Sequence, residues 1–441
     1  MRLGYRNHII QVIRHRARVL FTSTNTSMTI SLTRLMAVGA IAGATATALA
    51  APLAAQVTRN AASPVDSTVE QIKTMISRLN LEEYKANVKG LTMFGDRRQG
   101  TDRNRHAVDW IEAQLKSYGC TPTARITYDY EPPTRKPLTP EQLARYRAMR
   151  EAAGTTNRPG PGGSLMRGII APTGVNTDSL RQTDLALRAL DTPPSVPGER
   201  QEVYCTKIGT THPDEMYIVS GHMDGIGWGE AANDDGSGAA LVMQLARVFS
   251  SPDIQTNQSI RFILWNNEET GLNGSKAYVE QREALQGKED PAGSGKYPEP
   301  KWLGVIQHDM ELFDHGMPRA DGTMSKVQRP EANINVEFQS NSKFAAESEK
   351  LAWDLQNANE KYATKYPAQV GEHMSNTDSQ SFQDLVPSIS VRENERGAQI
   401  GAGWDPQWHQ PTDVFETYSD DDFRLGLNAA QTTFGAVAAL V

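Results

Sequence analysis

The sequence predicts an α/β fold, with a mixed, mainly parallel central sheet flanked by helices. Two observations carry the prediction. From residue 203 onward, short apolar runs alternate with segments whose apolar residues recur at helical spacing, the pattern of strands covered by helices. Several of those runs also end in His, Asp or Glu, and open α/β sheets bind ligands beyond the carboxyl ends of their strands.

The elements follow in order. Residues 1–55 read as a signal region. Arg34, an apolar Ala-, Leu- and Val-rich stretch, and small Ala48 and Ala50 suit a cleavage site, with a second option after Ala55. The signal begins late, so Met28 is a candidate true start. The stretch lacks the roughly 20 strongly apolar residues of a spanning helix. An exported chain is therefore expected, periplasmic or secreted, with no stable membrane association after cleavage. Residues 56–441 are expected to form one domain.

Val69, Ile72, Met75, Ile76 and Leu79 fall at helical spacing, as do Val108, Ile111, Leu115 and Tyr118 ahead of Gly119. Two opening helices are expected, with a loop over 92–100 between them and a strand over 121–130 after them. Residues 132–198 are dense in proline and glycine and read as an insertion without a core of its own. Strands are then expected at 203–208, 216–220, 260–265, 303–307, 334–338 and 388–391, and helices at 238–249, 272–282, 344–362 and 421–440. Cys120 opens one predicted strand and Cys205 lies in the next, so pairing of these strands would bring them within bridging reach. Two buried free thiols would leave the same sequence.

The net charge is −7, and no basic stripe follows the leader, which argues against nucleic acid as a partner. No phosphate loop, G-x-S-x-G elbow, HExxH helix or CxxC pair is present, and GSGK at 293–296 is a surface turn.

Six residues remain that a two-metal hydrolase needs: His222, Asp234, Glu268, Glu269, Asp309 and His409. Two close cations require imidazoles, terminal carboxylates, a shared carboxylate and one unligated carboxylate for proton transfer. His222 leaves a strand end, and Asp224 is placed to accept its other imidazole N–H. Asp234 sits in a glycine-rich turn, where Asn-Asp-Asp-Gly-Ser is equally ordinary cap chemistry, with Asp235 or Ser237 as the cap. Glu268 and Glu269 follow a buried strand, an unfavourable place for adjacent carboxylates unless cations neutralise them. Asp309 ends another strand, and alternation turns His308 to the opposite face. His409 lies in a late loop with Asp413 nearby as a support. His106 and His212 have no such context, while His315 and His373 are candidates for the substrate side.

The ordered motifs GHMD, ANDDGSG, NNEETGLNGS, QHDM and WHQPTD resemble the co-catalytic di-zinc aminopeptidase family, whose relatives include secreted bacterial leucyl aminopeptidases, glutamate carboxypeptidase and glutaminyl cyclase. The resemblance runs from about residue 91 to the C-terminus, interrupted by the insertion. It implies a zinc-exopeptidase (phosphorylase/hydrolase-like) architecture with two zinc ions per chain. His222 and Asp309 would hold one ion, Glu269 and His409 the other, and Asp234 both. Glu268 becomes the general base, and a cis peptide is expected between Asp234 and Asp235. The implied activity is removal of N-terminal residues from peptide substrates, with carboxypeptidase, dipeptidase and single-zinc cyclase-like acyltransferase as alternatives. One departure stands out: many relatives carry tyrosine before the final histidine as an oxyanion donor, and this chain has Trp408.

Overall fold

The computed structural model describes residues 64–132, 139–141, 144–145, 185–186, 197–226, 229–315, 325–329, 332–372, 376–393, 405–410 and 412–441. The signal region, most of the 132–198 insertion and His373 lie outside the described residues. The chain opens with α1 (Pro64–Ile76), α2 (Leu81–Thr92) and α3 (Asp102–Ser117), followed by β1 (Thr123–Tyr130), β2 (Gly198–Lys207) and β3 (His212–His222). Then come α4 (Gly236–Phe249), β4 (Gln258–Trp265), α5 (Asn273–Arg282), β5 (Lys301–His308), β6 (Ile334–Phe338), α6 (Ala345–Tyr362), β7 (Ala368–Gly371), β8 (Ser388–Arg392) and α7 (Asp420–Leu440).

Two elements were not expected. Helix α2 stands where only a link between two helices was foreseen; Tyr84, Val88 and Leu91 are buried along one side, and the Asn80 side chain caps it by accepting from Glu83 N. Strand β7 spans four residues and pairs only at the sheet edge, too short to leave a periodic signal.

The eight strands form one sheet in the order β1-β2-β4-β3-β5-β8-β6-β7. Its middle, β4-β3-β5-β8, is parallel, while β1-β2, β2-β4 and β6-β8 are antiparallel. Alternation along the strands divides the apolar residues between two faces. Val203, Val219, Phe262, Leu264 and Ile306 pack with residues of α1 to α4, α6 and α7. Tyr204, Ile218, Ile263, Trp265 and Val305 pack with Tyr278 of α5 and with Phe382. Both faces are covered, as a parallel centre requires.

The antiparallel β1–β2 pairing sets Thr123 opposite Cys205, and Cys120 is disulfide-bonded to Cys205 with the Cα atoms 5.6 Å apart. Among the described residues, no helix is long and apolar enough to cross a membrane.

Candidate metal centre

Parallel register brings three strand ends together. His222 lies opposite Trp265, three residues before Glu268, and Ser220 lies opposite Gln307, two residues before Asp309. The strand end must also touch the start of α4. Gly221 permits this, because a Cβ there would lie 2.9 Å from Ala239 N. Asp235 is the N-cap of α4, accepting from Gly238 N at 2.8 Å. The same carboxylate accepts from His222 N at 3.0 Å and Met310 N at 3.1 Å, so one capping residue ties the β3 and β5 ends to the helix. The cap of the turn is thus Asp235, which leaves the adjacent Asp234 as the candidate site residue. The Asp234–Asp235 peptide is cis.

The six expected residues converge. His222, Glu268 and Asp309 each offer an atom within 4.8 Å of the others, and so do Asp234, Glu269 and His409. Asp234 joins the two groups: Oδ1 lies 3.3 Å from His222 Nε2, and Oδ2 lies 3.0 Å from His409 Nε2. His409 Nε2 is also 3.2 Å from Glu269 Oε2, and His222 Nε2 is 4.0 Å from Asp309 Oδ1. Non-glycine residues with left-handed backbone cluster here, at Ala231, Asn267, Met310 and His409. Such conformations persist where surrounding contacts over-determine them.

Two supporting roles differ from expectation. His222 Nδ1 donates to the Asp224 backbone carbonyl at 2.9 Å, while the Asp224 carboxylate stands 3.8 Å away. Since a carbonyl only accepts, Nδ1 carries the proton and Nε2 is left as a ligand atom. The Asp224 carboxylate instead accepts from Glu268 N at 3.0 Å, fixing the backbone of the expected base. Asp413 supports the Asp234 turn rather than His409, accepting from Asn233 N at 2.8 Å and Asp234 N at 3.2 Å.

Asn233 was missed altogether. Its side-chain oxygen accepts from Glu311 N and Leu312 N, and its amide donates to Glu393 and Asp405. An Asn-Asp-Asp-Gly run signals a turn, and nothing in the sequence pairs it with segments about 80 to 170 residues away.

Burial and neighbouring charge compete in the titration of these groups. It raises Glu268 well above the usual carboxylate range and raises Glu269 to about 7, with neighbouring carboxylates adding to both shifts. His409 is pushed the other way by burial, yet Glu269 and Asp234 lift it to about 10. Asp234 is raised by burial but held well below its usual range by His222 and His409. The raised proton affinity of both imidazoles reflects this crowd of carboxylates, which divalent cations would neutralise while displacing protons. With two imidazoles, three candidate terminal carboxylates and one carboxylate facing both groups, the donor set fits two such ions.

The remaining candidates stand apart. His308 is buried on the opposite side from Asp309, hydrogen-bonded to Glu311 at 3.0 Å and Thr433 at 3.1 Å. His315 pairs with Asp314 at 2.9 Å and lines a cavity of about 400 Å³ with Asp405, Tyr418 and Asp422. His106 and His212 are exposed. The Trp408 ring stacks on His409, with centroids 4.2 Å apart.

The sequence model of Peptidase family M28 matches residues 203–431, more than half of the chain. The chain belongs to peptidase family M28. Over 69 residues it is 42% identical to aminopeptidase YwaD of Bacillus subtilis, covering 16% of this chain and 14% of that protein. Over 73 residues it is 33% identical to carboxypeptidase Q of Xenopus laevis, covering 17% and 16%. The chain thus spans about a sixth of the length of these curated relatives. Among solved structures, the zinc aminopeptidase BSAP from Bacillus subtilis superposes with a TM-score of 0.53 at 15% identity, over 82% of this chain and 95% of that one. That likeness extends the M28 fold to most of the described chain.

Proposed function

We propose that this M28 chain is an exported zinc aminopeptidase that binds two cations and hydrolyses peptides from their free N-terminus. The observation that carries the reading is Asp234, whose two oxygens face His222 Nε2 and His409 Nε2 at 3.3 and 3.0 Å. His222 and Asp309 would hold one ion, Glu269 and His409 the other, with Asp234 shared. When bound, the ions would supply Lewis acidity to the scissile carbonyl and acidify a water.

The chain's own groups do the rest. Glu268, held through its amide by Asp224, takes a proton at its carboxylate and returns it to the leaving amine nitrogen. Trp408 lies flat on His409, which favours holding the imidazole over donating to an oxyanion.

The preference for an amino end is supported by the aminopeptidases among the similar proteins, YwaD by sequence and BSAP by structure. Asp224, Asp234, Glu268, Glu269 and Asp309 crowd the centre, and Arg392 beside them is buried and engaged by Asp309. Arg392, engaged in this way, is not placed to pair with a substrate's terminal carboxylate, and bound dications would offset the charge of the carboxylates themselves. The charge balance of the whole chain gives no reason to expect a nucleic-acid partner.

Leucyl- or alanyl-anilides compared with their N-acetyl forms test the reading. Turnover of the free amines alone supports it; comparable rates on both, or release of C-terminal residues from N-blocked peptides, would move the assignment to an endopeptidase or carboxypeptidase. Export is checked by fractionating expressing cells and determining the mass of the N-terminus: a shortened N-terminus on protein outside the cytoplasm supports it, and protein confined to the cytoplasm with its leader intact would refute it.

A further inference from the structure

Arg392 ends β8 directly behind the metal centre. Parallel pairing of His308 with Val391, and the hydrogen bond from Asp309 N to Val391 O at 3.1 Å, set Asp309 and Arg392 side by side. Arg392 Nη2 donates to Asp309 Oδ2 at 3.2 Å and to Ser390 Oγ at 3.0 Å, while Nε lies 3.4 Å from Glu337 Oε2. All four side chains are buried. The other Asp309 oxygen, Oδ1, is the one 4.0 Å from His222 Nε2.

A guanidinium buried this deeply is costly to desolvate and persists only with well-placed partners. Both of its carboxylate partners have a defined place. Glu337, on the neighbouring strand β6, balances the positive charge; Asp309 is the expected ligand. We infer that Arg392 is a positioning residue for Asp309: by occupying Oδ2 it leaves Oδ1 as the single oxygen offered to a cation, and Glu337 holds the guanidinium in turn. The Arg392–Glu337 pair adds no net charge, so its contribution is the orientation of the ligand rather than attraction or repulsion of the ion. This inference rests on the two-cation reading.

The test titrates the full chain, freed of metal, with Co²⁺, following heat and visible absorption. Arg392→Met alone would leave Glu337 buried without its cation, so Arg392→Met/Glu337→Gln is used, which keeps the net charge. Arg392→Lys is titrated beside it as the milder change. One equivalent should bind as in the unsubstituted protein. The other should weaken by about 10–100-fold, the usual effect of losing an outer partner of a metal ligand, and only its absorption band should change. Two unaltered equivalents, or equal weakening of both, would overturn the role of Arg392. If the unsubstituted protein itself takes fewer than two Co²⁺, the two-cation reading falls, and this inference with it.

Discussion

The adjacent pair Glu268 and Glu269 gives the sharpest mutational test, because neighbours of identical chemistry are assigned different work. Glu268 is 8% exposed, and its backbone is fixed by the Asp224 carboxylate through a contact that substitution of the side chain does not remove. Glu268→Gln is close to isosteric, so the fold and the metal content should stay as they are. Loss of a general base lowers turnover by about 10²–10⁴, equivalent to about 2.7–5.5 kcal/mol in the barrier. Glu269→Gln should act differently: its Oε2 lies 3.2 Å from His409 Nε2, so removing its charge strips a ligand and one cation is lost on dialysis. The assay is kcat on a leucyl-anilide alongside metal analysis of each dialysed variant. Since Glu268 also lies within ligand distance of His222 and Asp309, the experiment can fail clearly. A Glu268→Gln protein that loses a cation would make Glu268 a ligand, and one that keeps two cations and nearly full activity would remove it as the base.

Three further outcomes follow from the packing. Replacing both Cys120 and Cys205 with serine opens a link across 85 residues and should lower stability by about 4–5 kcal/mol on the chain-entropy model, read as a lower urea midpoint; an unchanged midpoint would refute it. Asp413→Ala leaves the buried amides of Asn233 and Asp234 without their acceptor, a loss of about 1–3 kcal/mol for each, and should weaken metal binding as the Asp234 turn loosens; unaltered melting and metal affinity would contradict the support assigned to Asp413. Gly426→Ala drives a methyl group of α7 into the Tyr84 ring and hydroxyl, which should lower stability by about 1–3 kcal/mol; a variant as stable as the parent would show that α2 and α7 separate easily.

Much of the architecture was legible because one signal, apolar periodicity, marks the strand and helix segments independently. The buried runs at 260–265 and 303–307 each carry a candidate site residue just beyond their carboxyl ends, and parallel pairing of neighbouring strands then brings the candidates together. Helix α2 was also readable: Leu81, Tyr84, Val88 and Leu91 fall at helical spacing after a capping asparagine, and it was missed although its signal was present. The supports of the site were not readable. Arg392 meets Asp309 because β8 lies beside β5, a neighbour relation between strands that do not follow one another in sequence. The partner of the His222 imidazole is a backbone carbonyl, which no side-chain pattern reveals, and Asn233 acts on loops that come together only in the folded chain.

The central claim is a pair of cations sharing Asp234, and anomalous diffraction from crystals of the zinc-loaded protein tests it most directly. Two peaks about 3.5–4 Å apart, one on each oxygen of Asp234, are predicted. A single peak, or two peaks that do not both contact Asp234, would contradict the account.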